Sequence, residues 1–193
     1  RSWITDLRQR LESPPPQRLP PRDSRQAAVL GQLYVDPRAL WTILTRRTEH
    51  LPHHKGQIAF PGGGREVGES AWETALRESH EEIGLEPKQV LRLGQLDEAE
   101  TPTGYRIIPC VGAVPQPFEP TPNEDEIAEV FPIPLLAFAD VRAIEDRKVT
   151  IDGTERDLRI YHVGGRQVWG LTAHIVQNLM LRLGMDGLPE GEG

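Results

Sequence analysis

The sequence predicts an α+β fold in which a mixed β-sheet is packed between helices. Apolar, partly β-branched runs of strand length recur along the chain, and a few segments carry the spacing of apolar residues that marks an amphipathic helix. The predicted strands do not alternate strictly with the helices, which favours a sandwich over a doubly wound parallel sheet. A chain of 193 residues is long enough for one such domain and short for two.

The predicted elements follow from apolar periodicity and from turn residues. Helices are predicted from about residue 3 to Ser13 and near residues 71–83 and 171–183, and strands are predicted at 27–35, 40–46, 90–96, 107–114 and 127–133. Residues 141–163 are predicted to form further strand and a hairpin, with Asp152 and Gly153 as its turn. The stretch 51–68 has the His, Gly and Pro content of a loop, with a short apolar insert at 58–60.

The chain divides into three predicted parts. Residues 1–24 form an N-terminal helix and a proline-rich connector, 25–183 form the main domain, and 184–193 form a mobile tail. Trp3, Leu7 and Leu11 recur every four residues, so the first helix is amphipathic and is expected to lie against the main body or a partner. The helix is predicted to end at Ser13, because prolines follow it.

Composition excludes several classes of function. The net charge of -7 argues against a surface that binds nucleic acid through its phosphates. The single cysteine, Cys110, excludes an intramolecular disulfide and is expected to be a small buried hydrophobe rather than a nucleophile. No apolar run approaches the roughly 18 residues of a membrane span, and no signal-peptide pattern is present. We therefore expect a cytoplasmic protein without a membrane partner, and homodimerisation is left open.

The helix predicted at 71–83 carries the clearest functional signal. Ser70 and Glu73 fit a capping box, and Gly84 is placed for a left-handed C-terminal cap. At about 100° per residue, one face of the helix is apolar, and an adjacent arc carries three carboxylates. The apolar face comprises Trp72, Ala75, Leu76, Ser79 and Ile83, and the acidic arc comprises Glu78, Glu81 and Glu82.

The acidic arc has two interpretations. Two carboxylates 5 to 6 Å apart repel each other by roughly 3 kcal/mol at an effective dielectric constant near 20, and a bound divalent cation reverses the sign of that energy. Mg²⁺ and Mn²⁺ prefer such oxygen ligands and share their coordination with substrate phosphates. Taken alone, however, three glutamates on a helix are more often a solvated acidic face.

The surrounding residues favour the metal site. The spacing of eight residues resembles the signature of the Nudix family at each fixed Gly, Glu and Arg position, namely Gly63, Glu69, Arg77, Glu78, Glu81, Glu82, Gly84 and Leu85. Ser79 departs from the pattern, because the family usually has an aliphatic residue there, and this change should weaken the helix packing slightly. The resemblance implies a Nudix-type α/β/α sandwich with a mixed sheet, and metal-dependent hydrolysis of a nucleoside diphosphate derivative.

The same resemblance implies roles for individual residues. Glu78, Glu81 and Glu82 would bind Mg²⁺ or Mn²⁺, and Glu69 and Arg77 would brace the preceding loop against the helix. These five residues are the candidate catalytic residues. Gly63 would permit a tight bend of the loop. The general base is left open between Glu81 and a loop acid, which would be Glu124, Asp125 or Glu126; each of these loop acids is more often a solvated turn residue.

The segment 44–63 indicates a substrate. It resembles the additional motif of the coenzyme A pyrophosphatase branch of the Nudix family, most closely at 56–63, and departs from that motif at Thr48 and Pro52. Residues 101–109 and 169–173 look like later segments of the same branch, so the resemblance covers about 25–183. Tyr105 and Trp169 lie in those segments, and the alternative interpretation of both residues is that they are core aromatics. The candidate substrate-binding residues are Arg46, Arg47, His53, His54, Lys55, Gly62 and Gly63.

The charges of this segment support a ligand with several phosphates. Cationic or titratable groups gather just before the acidic helix, at Arg46, Arg47, His50, His53, His54, Lys55 and Arg65. A basic loop in an acidic protein suits a ligand such as coenzyme A, which carries a 3′-phosphate outside its diphosphate. The three histidines are also explained by ordinary loop polarity or by a small metal patch.

Two other functions compete with this one. A Nudix enzyme for ADP-ribose, a dinucleotide or a nucleoside triphosphate would carry the same metal helix. A non-catalytic Nudix module that senses a ligand would usually have lost metal carboxylates, whereas Glu78, Glu81 and Glu82 are all present.

Overall fold

The computed structural model describes residues 2–50, 56–114 and 118–186. Its α-helices are α1 (Trp3–Glu12), α2 (Ala71–Ile83) and α3 (Gly170–Leu183). Its strands are β1 (Arg25–Val35), β2 (Leu40–Arg47), β3 (Ile58–Ala59), β4 (Gly62–Gly64), β5 (Leu91–Gln95), β6 (Ala99–Glu100), β7 (Tyr105–Ala113), β8 (Ile127–Pro134), β9 (Ile144–Ile151), β10 (Thr154–Val163) and β11 (Arg166–Val168). None of the helices described is long and apolar enough to cross a membrane.

Eight of these strands form one mixed sheet. Its main path is β3-β2-β1-β7-β5, with β4 beside β1, β6 beside β7 and β8 beside β2. β1 and β7 are parallel, from the pair Arg25 and Tyr105 to the pair Leu33 and Ala113, and the other neighbouring strands are antiparallel. A second, antiparallel sheet has the order β11-β10-β9. The short β4 lies against β1, directly before the chain enters α2.

Helices cover both faces of the large sheet. Side chains alternate between the faces of β1, so Ala28 and Leu30 belong to the apolar cluster around Ala75 of α2. Ala27 and Leu33 point the other way and join the cluster that includes α3. The predicted α+β class and the α/β/α sandwich with a mixed sheet are therefore confirmed.

The N-terminal helix packs on the main body. Leu7 and Leu11 are buried, while Trp3 at the start of the helix stays 38% exposed. The Arg182 guanidinium of α3 donates to the carbonyls of Leu11 and Pro14 at 3.1 and 2.6 Å. The first helix and its connector are thus tied to the domain through α3. The apolar stripe of α1 therefore faces the main body.

Two stretches differ from their predicted secondary structure. Gly62–Gly64, predicted as loop, forms β4, because its backbone pairs with Ala27, Ala28 and Val29 of β1. Val141–Ala143, predicted as strand, is a 3-10 helix that precedes β9. The predicted hairpin turn is confirmed, since Asp152 and Gly153 both have positive φ angles, 50° and 75°.

The interpretation of Trp169 as a core aromatic is wrong, because its side chain is 50% exposed at the N-terminus of α3. Tyr105 is partly buried against the cluster on the α3 side. Cys110 is fully buried as predicted, and burial raises the pKa of its thiol to about 12. Ser79 is also fully buried, and its hydroxyl donates to the carbonyl of Ala75 at 2.7 Å, which satisfies the polar atom inside the core.

Candidate active site

Both ends of α2 have the caps that the sequence predicts. The N–H of Glu73 donates to Oγ of Ser70 at 3.2 Å, and the N–H of Ser70 donates to the Glu73 carboxylate at 2.6 Å. Gly84 ends the helix with a φ of 74°, and its N–H donates to the carbonyl of His80. These local bonds fix where the helix begins and ends, and so fix which of its residues face the sheet.

Arg77 joins α2 to the segment before it. Its Nε lies 2.6 Å from Oε1 of Glu69, and one terminal nitrogen donates to the carbonyl of Gly64 in β4 at 3.0 Å. Thr74 donates a further hydrogen bond to the Glu69 carboxylate at 2.8 Å. The hydrogen bond from Arg77 is the main reason that the pKa of Glu69 falls to about 2. The structure therefore places Glu69 and Arg77 in a contact that ties the loop, the helix and the sheet together.

The same guanidinium contacts two of the three predicted metal carboxylates. It donates to Oε1 of Glu78 at 2.9 Å and to Oε2 of Glu81 at 3.3 Å. Glu78 is mostly buried, with 16% of its side chain exposed, and burial is the main cause of its raised pKa. Glu81 is 52% exposed and lies at the solvent side of the helix.

Glu82 is the most buried of the three glutamates, with 3% of its side chain exposed. The N–H of Gly62 donates to its Oε2 at 3.3 Å, and Nη1 of Arg47 lies 3.5 Å from its Oε1. Burial raises the pKa of Glu82 to about 8, against the attraction of Arg47, and the neighbouring Glu78 adds to the rise. This carboxylate is thus held in the protein interior, where Arg47 and the N–H of Gly62 only partly offset the cost of burying its charge.

Two of the three glycines of β4 allow these carboxylates to approach the sheet. A Cβ atom on Gly63 would lie 2.4 Å from Cδ of Glu78, and one on Gly62 would lie 2.4 Å from the carbonyl oxygen of Ala28. Gly63 does not have a positive φ angle. Its predicted role in a loop bend is therefore wrong, and the absence of a side chain instead makes room for Glu78.

One of the three loop acids acts electrostatically on the acidic helix. The charge of Glu126 adds to the burial that raises the pKa of Glu78 and of Glu82, whereas Glu124 and Asp125 are exposed. The backbone N–H of Thr48 donates to the carbonyl of Glu126 at 2.9 Å, which fixes the position of this loop residue beside β2. Among the loop acids, Glu126 is therefore the strongest candidate for the general base, because it is partly buried and its charge acts on both buried glutamates.

The two arginines of β2 point to opposite faces of the sheet. Arg47 points towards Glu82 and α2, whereas Nε of Arg46 lies 3.4 Å from the Glu129 carboxylate of β8. Arg166 of β11 also contacts Glu129, and its guanidinium stacks 4.0 Å from the centre of the Phe131 ring. Arg166 lies far along the chain from the other candidates and belongs to no motif, so the sequence contains no signal for it.

The other predicted cationic residues are only partly brought together. Arg65 points away from the carboxylates, towards Gln26 and the carbonyl of Glu69. His50 contacts the carbonyl of Asp125 at 3.0 Å. The predicted substrate-binding residues His53, His54 and Lys55 lie outside the described residues.

The donor set fits a divalent cation, although the side chains are not arranged as ligands. Among the residues that the structure describes, no group of three His, Cys, Asp or Glu side chains could hold a metal ion as it stands. Arg77 holds Glu78 and Glu81, and Arg47 faces Glu82. Two buried carboxylates that repel each other are nevertheless the environment in which an oxygen-preferring cation is most strongly favoured.

Comparisons with known proteins agree with this geometry. The profile of the NUDIX domain matches residues 24–152. The uncharacterized Nudix hydrolase NudL of Pectobacterium atrosepticum is 39% identical over 173 residues, which are 88% of each chain. The protein of the same name from Escherichia coli K12 is 35% identical over 162 residues, covering 83% of this chain and 84% of its own.

Solved structures share the fold at low sequence identity. A MutT/nudix family protein from Enterococcus faecalis gives a TM-score of 0.54 at 17% identity, covering 86% of this chain and 65% of its own. The Nudix hydrolase RenU from M. smegmatis gives a TM-score of 0.52 at 24% identity, covering 61% of this chain and 74% of its own. The fold, the acidic helix α2 and the similarity to these proteins together define a Nudix domain. The chain belongs to the Nudix hydrolase family.

Proposed function

We propose that this Nudix hydrolase splits the diphosphate bond of coenzyme A or acyl-coenzyme A, giving adenosine 3′,5′-bisphosphate and 4′-phosphopantetheine or its acyl derivative. The observation that carries the proposal is the buried carboxylate of Glu82, which lies beside Glu78 and faces the cationic Arg47. An anionic linkage needs cations to offset its charge, and the cationic Arg47 lies close to a carboxylate that we propose as a metal ligand. The resemblance of residues 44–63 to the coenzyme A branch supports the choice of substrate.

The cofactor is proposed to be Mg²⁺ or Mn²⁺, with Glu78 and Glu82 as buried ligands and Glu81 as a ligand from the solvent side. Bound there, the metal would neutralise the diphosphate and lower the pKa of a water molecule. For Glu78 and Glu81 to serve, their carboxylates must turn away from Arg77. Glu69 keeps Arg77 in place during that change, because it makes the shortest contact with the guanidinium.

The reaction proposed is direct attack of water on phosphorus, without a covalent enzyme intermediate. Glu126 would take the proton of the water as general base, since it is the loop acid whose charge acts on both buried glutamates. Hydrolysis in ¹⁸O-labelled water should therefore put label into one of the two phosphate products. Absence of label from both products of a single turnover would contradict direct attack.

The opposite orientations of Arg46 and Arg47 lead to a test of the substrate. Arg47 faces the acidic helix and is expected to contact the diphosphate. Arg46 and Arg166 both contact Glu129, so these three side chains together carry a net positive charge, which suits the separate 3′-phosphate. Arg46→Ala should then raise KM for coenzyme A more than for dephospho-coenzyme A, which lacks that phosphate. Arg47→Ala should raise KM for both by a similar factor.

A panel of diphosphate substrates with identification of products decides between the candidates. Coenzyme A, acyl-coenzyme A, ADP-ribose and a dinucleotide would be incubated with Mg²⁺ and with Mn²⁺. Adenosine 3′,5′-bisphosphate from coenzyme A supports the proposal. Rapid release of AMP from ADP-ribose, without cleavage of coenzyme A, would overturn it in favour of another Nudix substrate.

A further inference from the structure

The backbone of Arg47 is held by hydrogen bonds, whereas its side chain is held only loosely. Its N–H donates to the carbonyl of Gln57 at 3.0 Å, and its carbonyl accepts from the N–H of Gly56 at 3.1 Å. An irregularity in the pairing of β2 with β8 lies between Arg46 and Arg47. The start of the side chain therefore has a defined position, and rotation of its own bonds decides where the guanidinium points.

The guanidinium of Arg47 faces Glu82 without a hydrogen bond to it. The closest approach is 3.5 Å from Nη1 to Oε1, and 25% of the Arg47 side chain is exposed. Its Nε is buried and has no hydrogen-bond partner in the part of the chain that the structure describes. A buried donor without an acceptor costs free energy, so this edge of the guanidinium is available to donate a hydrogen bond to an anionic oxygen.

Arg77, the other arginine beside the acidic helix, is held quite differently. It donates to both oxygens of Glu69, at 2.6 and 3.1 Å, and to the carbonyl of Gly64 at 3.0 Å. These bonds keep its guanidinium in place even when Glu78 and Glu81 turn away. Arg47 has no comparable set of side-chain hydrogen bonds to the residues that the structure describes, and the carboxylate that it faces, Glu82, is one that the proposed metal would require.

We propose that Arg47 is an exchangeable counter-ion, which faces Glu82 in the metal-free protein and turns to a phosphate oxygen of the substrate once Glu82 serves as a metal ligand. Arg47 and a metal ion bound to Glu82 would both be positively charged and would repel each other. Arg47 is therefore expected to move away from Glu82 under those conditions. A diphosphate then offers the acceptor that its planar guanidinium lacks. The inference rests on the proposed function and adds a coupling between metal and substrate binding.

The coupling has an unusual consequence for metal affinity. If Arg47 competes with the metal for Glu82, its removal should tighten metal binding in the absence of substrate. If Arg47 merely holds the site together, its removal should weaken metal binding. The two roles therefore predict changes of opposite sign, which a binding measurement separates without any turnover.

The experiment is titration of the full chain with Mn²⁺, followed by electron paramagnetic resonance of the free ion, for the wild type and Arg47→Gln. We expect about tenfold tighter binding to Arg47→Gln, because loss of about 1.4 kcal/mol of repulsion equals a factor of ten. Arg47→Lys keeps the charge and should bind Mn²⁺ like the wild type. Arg46→Gln, the same change on the opposite face of the sheet, should also leave Mn²⁺ affinity unchanged.

Each outcome of the Mn²⁺ titration has a single interpretation. Unchanged or weaker Mn²⁺ binding by Arg47→Gln overturns the counter-ion role and leaves the proposed function standing. Equal tightening in Arg47→Lys overturns the electrostatic cause. Absence of Mn²⁺ binding by the wild type overturns the proposed function itself.

A measurement on the wild type protects the test against a variant that does not fold. The ¹⁵Nε–¹Hε NMR signal of Arg47, identified by its loss in Arg47→Lys, should shift when Mg²⁺ is added and shift again with adenosine 3′,5′-bisphosphate. The corresponding signal of Arg46 should not respond to Mg²⁺ alone. An Arg47 signal that stays unchanged on saturation with Mg²⁺ would overturn the inference.

Discussion

The backbone of Gly63 and the carboxylate of Glu78 lie so close that no side chain fits between them. A Cβ on Gly63 would be 2.4 Å from Cδ and 2.5 Å from Oε1 of Glu78, far inside van der Waals contact. Glu78 is held there by Arg77, which is itself bonded to Gly64. A strand without side chains is thus what allows a carboxylate from α2 to be buried against the sheet.

Gly63→Ala should therefore displace Glu78 and lower turnover by about 10- to 100-fold, the range seen when the support of a metal ligand is disturbed. The matched control is Gly64→Ala, one residue along the same strand, where a Cβ meets nothing within 4 Å. Steady-state kinetics with coenzyme A and thermal denaturation would be compared for the two variants. Equal activity of both would show that the close approach to Glu78 has no functional importance.

Glu69→Gln should destabilise the protein at neutral pH, because Arg77 loses its main charged partner. The folded-state pKa of Glu69 is depressed, from 4.5 to about 2, so its contribution is complete above pH 4.5 and is lost as the pH falls towards 2. Chemical denaturation at several pH values between 6 and 3 should show the difference from wild type shrinking with acid. Glu66→Gln is the control, since Glu66 is 69% exposed and lies 3.9 Å from Arg77.

Glu82 should give the opposite pH dependence in the metal-free protein. Its folded-state pKa is raised, from 4.5 to about 8, so the folded state binds the proton more tightly and loses stability as the pH rises through this range. With chelator present, Glu82→Gln should become more stable than wild type towards pH 8, by up to a few kcal/mol, since one pKa unit equals about 1.36 kcal/mol. The check is urea denaturation at pH 5.5 and 8. A constant difference between the two proteins would contradict the buried charge.

Glu126→Gln should lower kcat by about 10²- to 10⁴-fold, the usual contribution of a general base. Glu124→Gln should leave kcat unchanged, because Glu124 is exposed in the same loop. The pH profile of kcat provides a second measurement, since the loss should be smallest at high pH, where hydroxide replaces the base. If both variants retain full activity, Glu81 becomes the stronger candidate.

The features of α2 could be predicted because they depend on neighbours in sequence. Ser70 caps the helix through a residue three positions later, and Gly84 ends it through its own backbone conformation. The clustering of Glu78 and Glu82 on one flank follows from the pitch of a helix alone. Even the buried position of the polar Ser79 is explained locally, by the carbonyl of Ala75 one turn earlier.

The remaining features depend on which strands become neighbours, and no local pattern contains that information. Arg46 and Arg47 are adjacent in sequence, yet the pleat of β2 sends one to Glu129 and the other to Glu82. Pairing with β1 turned a glycine-rich stretch into β4, and a different packing left Trp169 half exposed.

By itself, then, the sequence determined the acidic helix, its two ends and the α+β class, because caps, pitch and apolar periodicity act over a few residues. Tertiary structure alone decided which arginine meets the buried glutamate and which glycine makes room for Glu78. Those outcomes arise from contacts between segments distant in the chain, whose energies depend on burial and on the order of strands in the sheet.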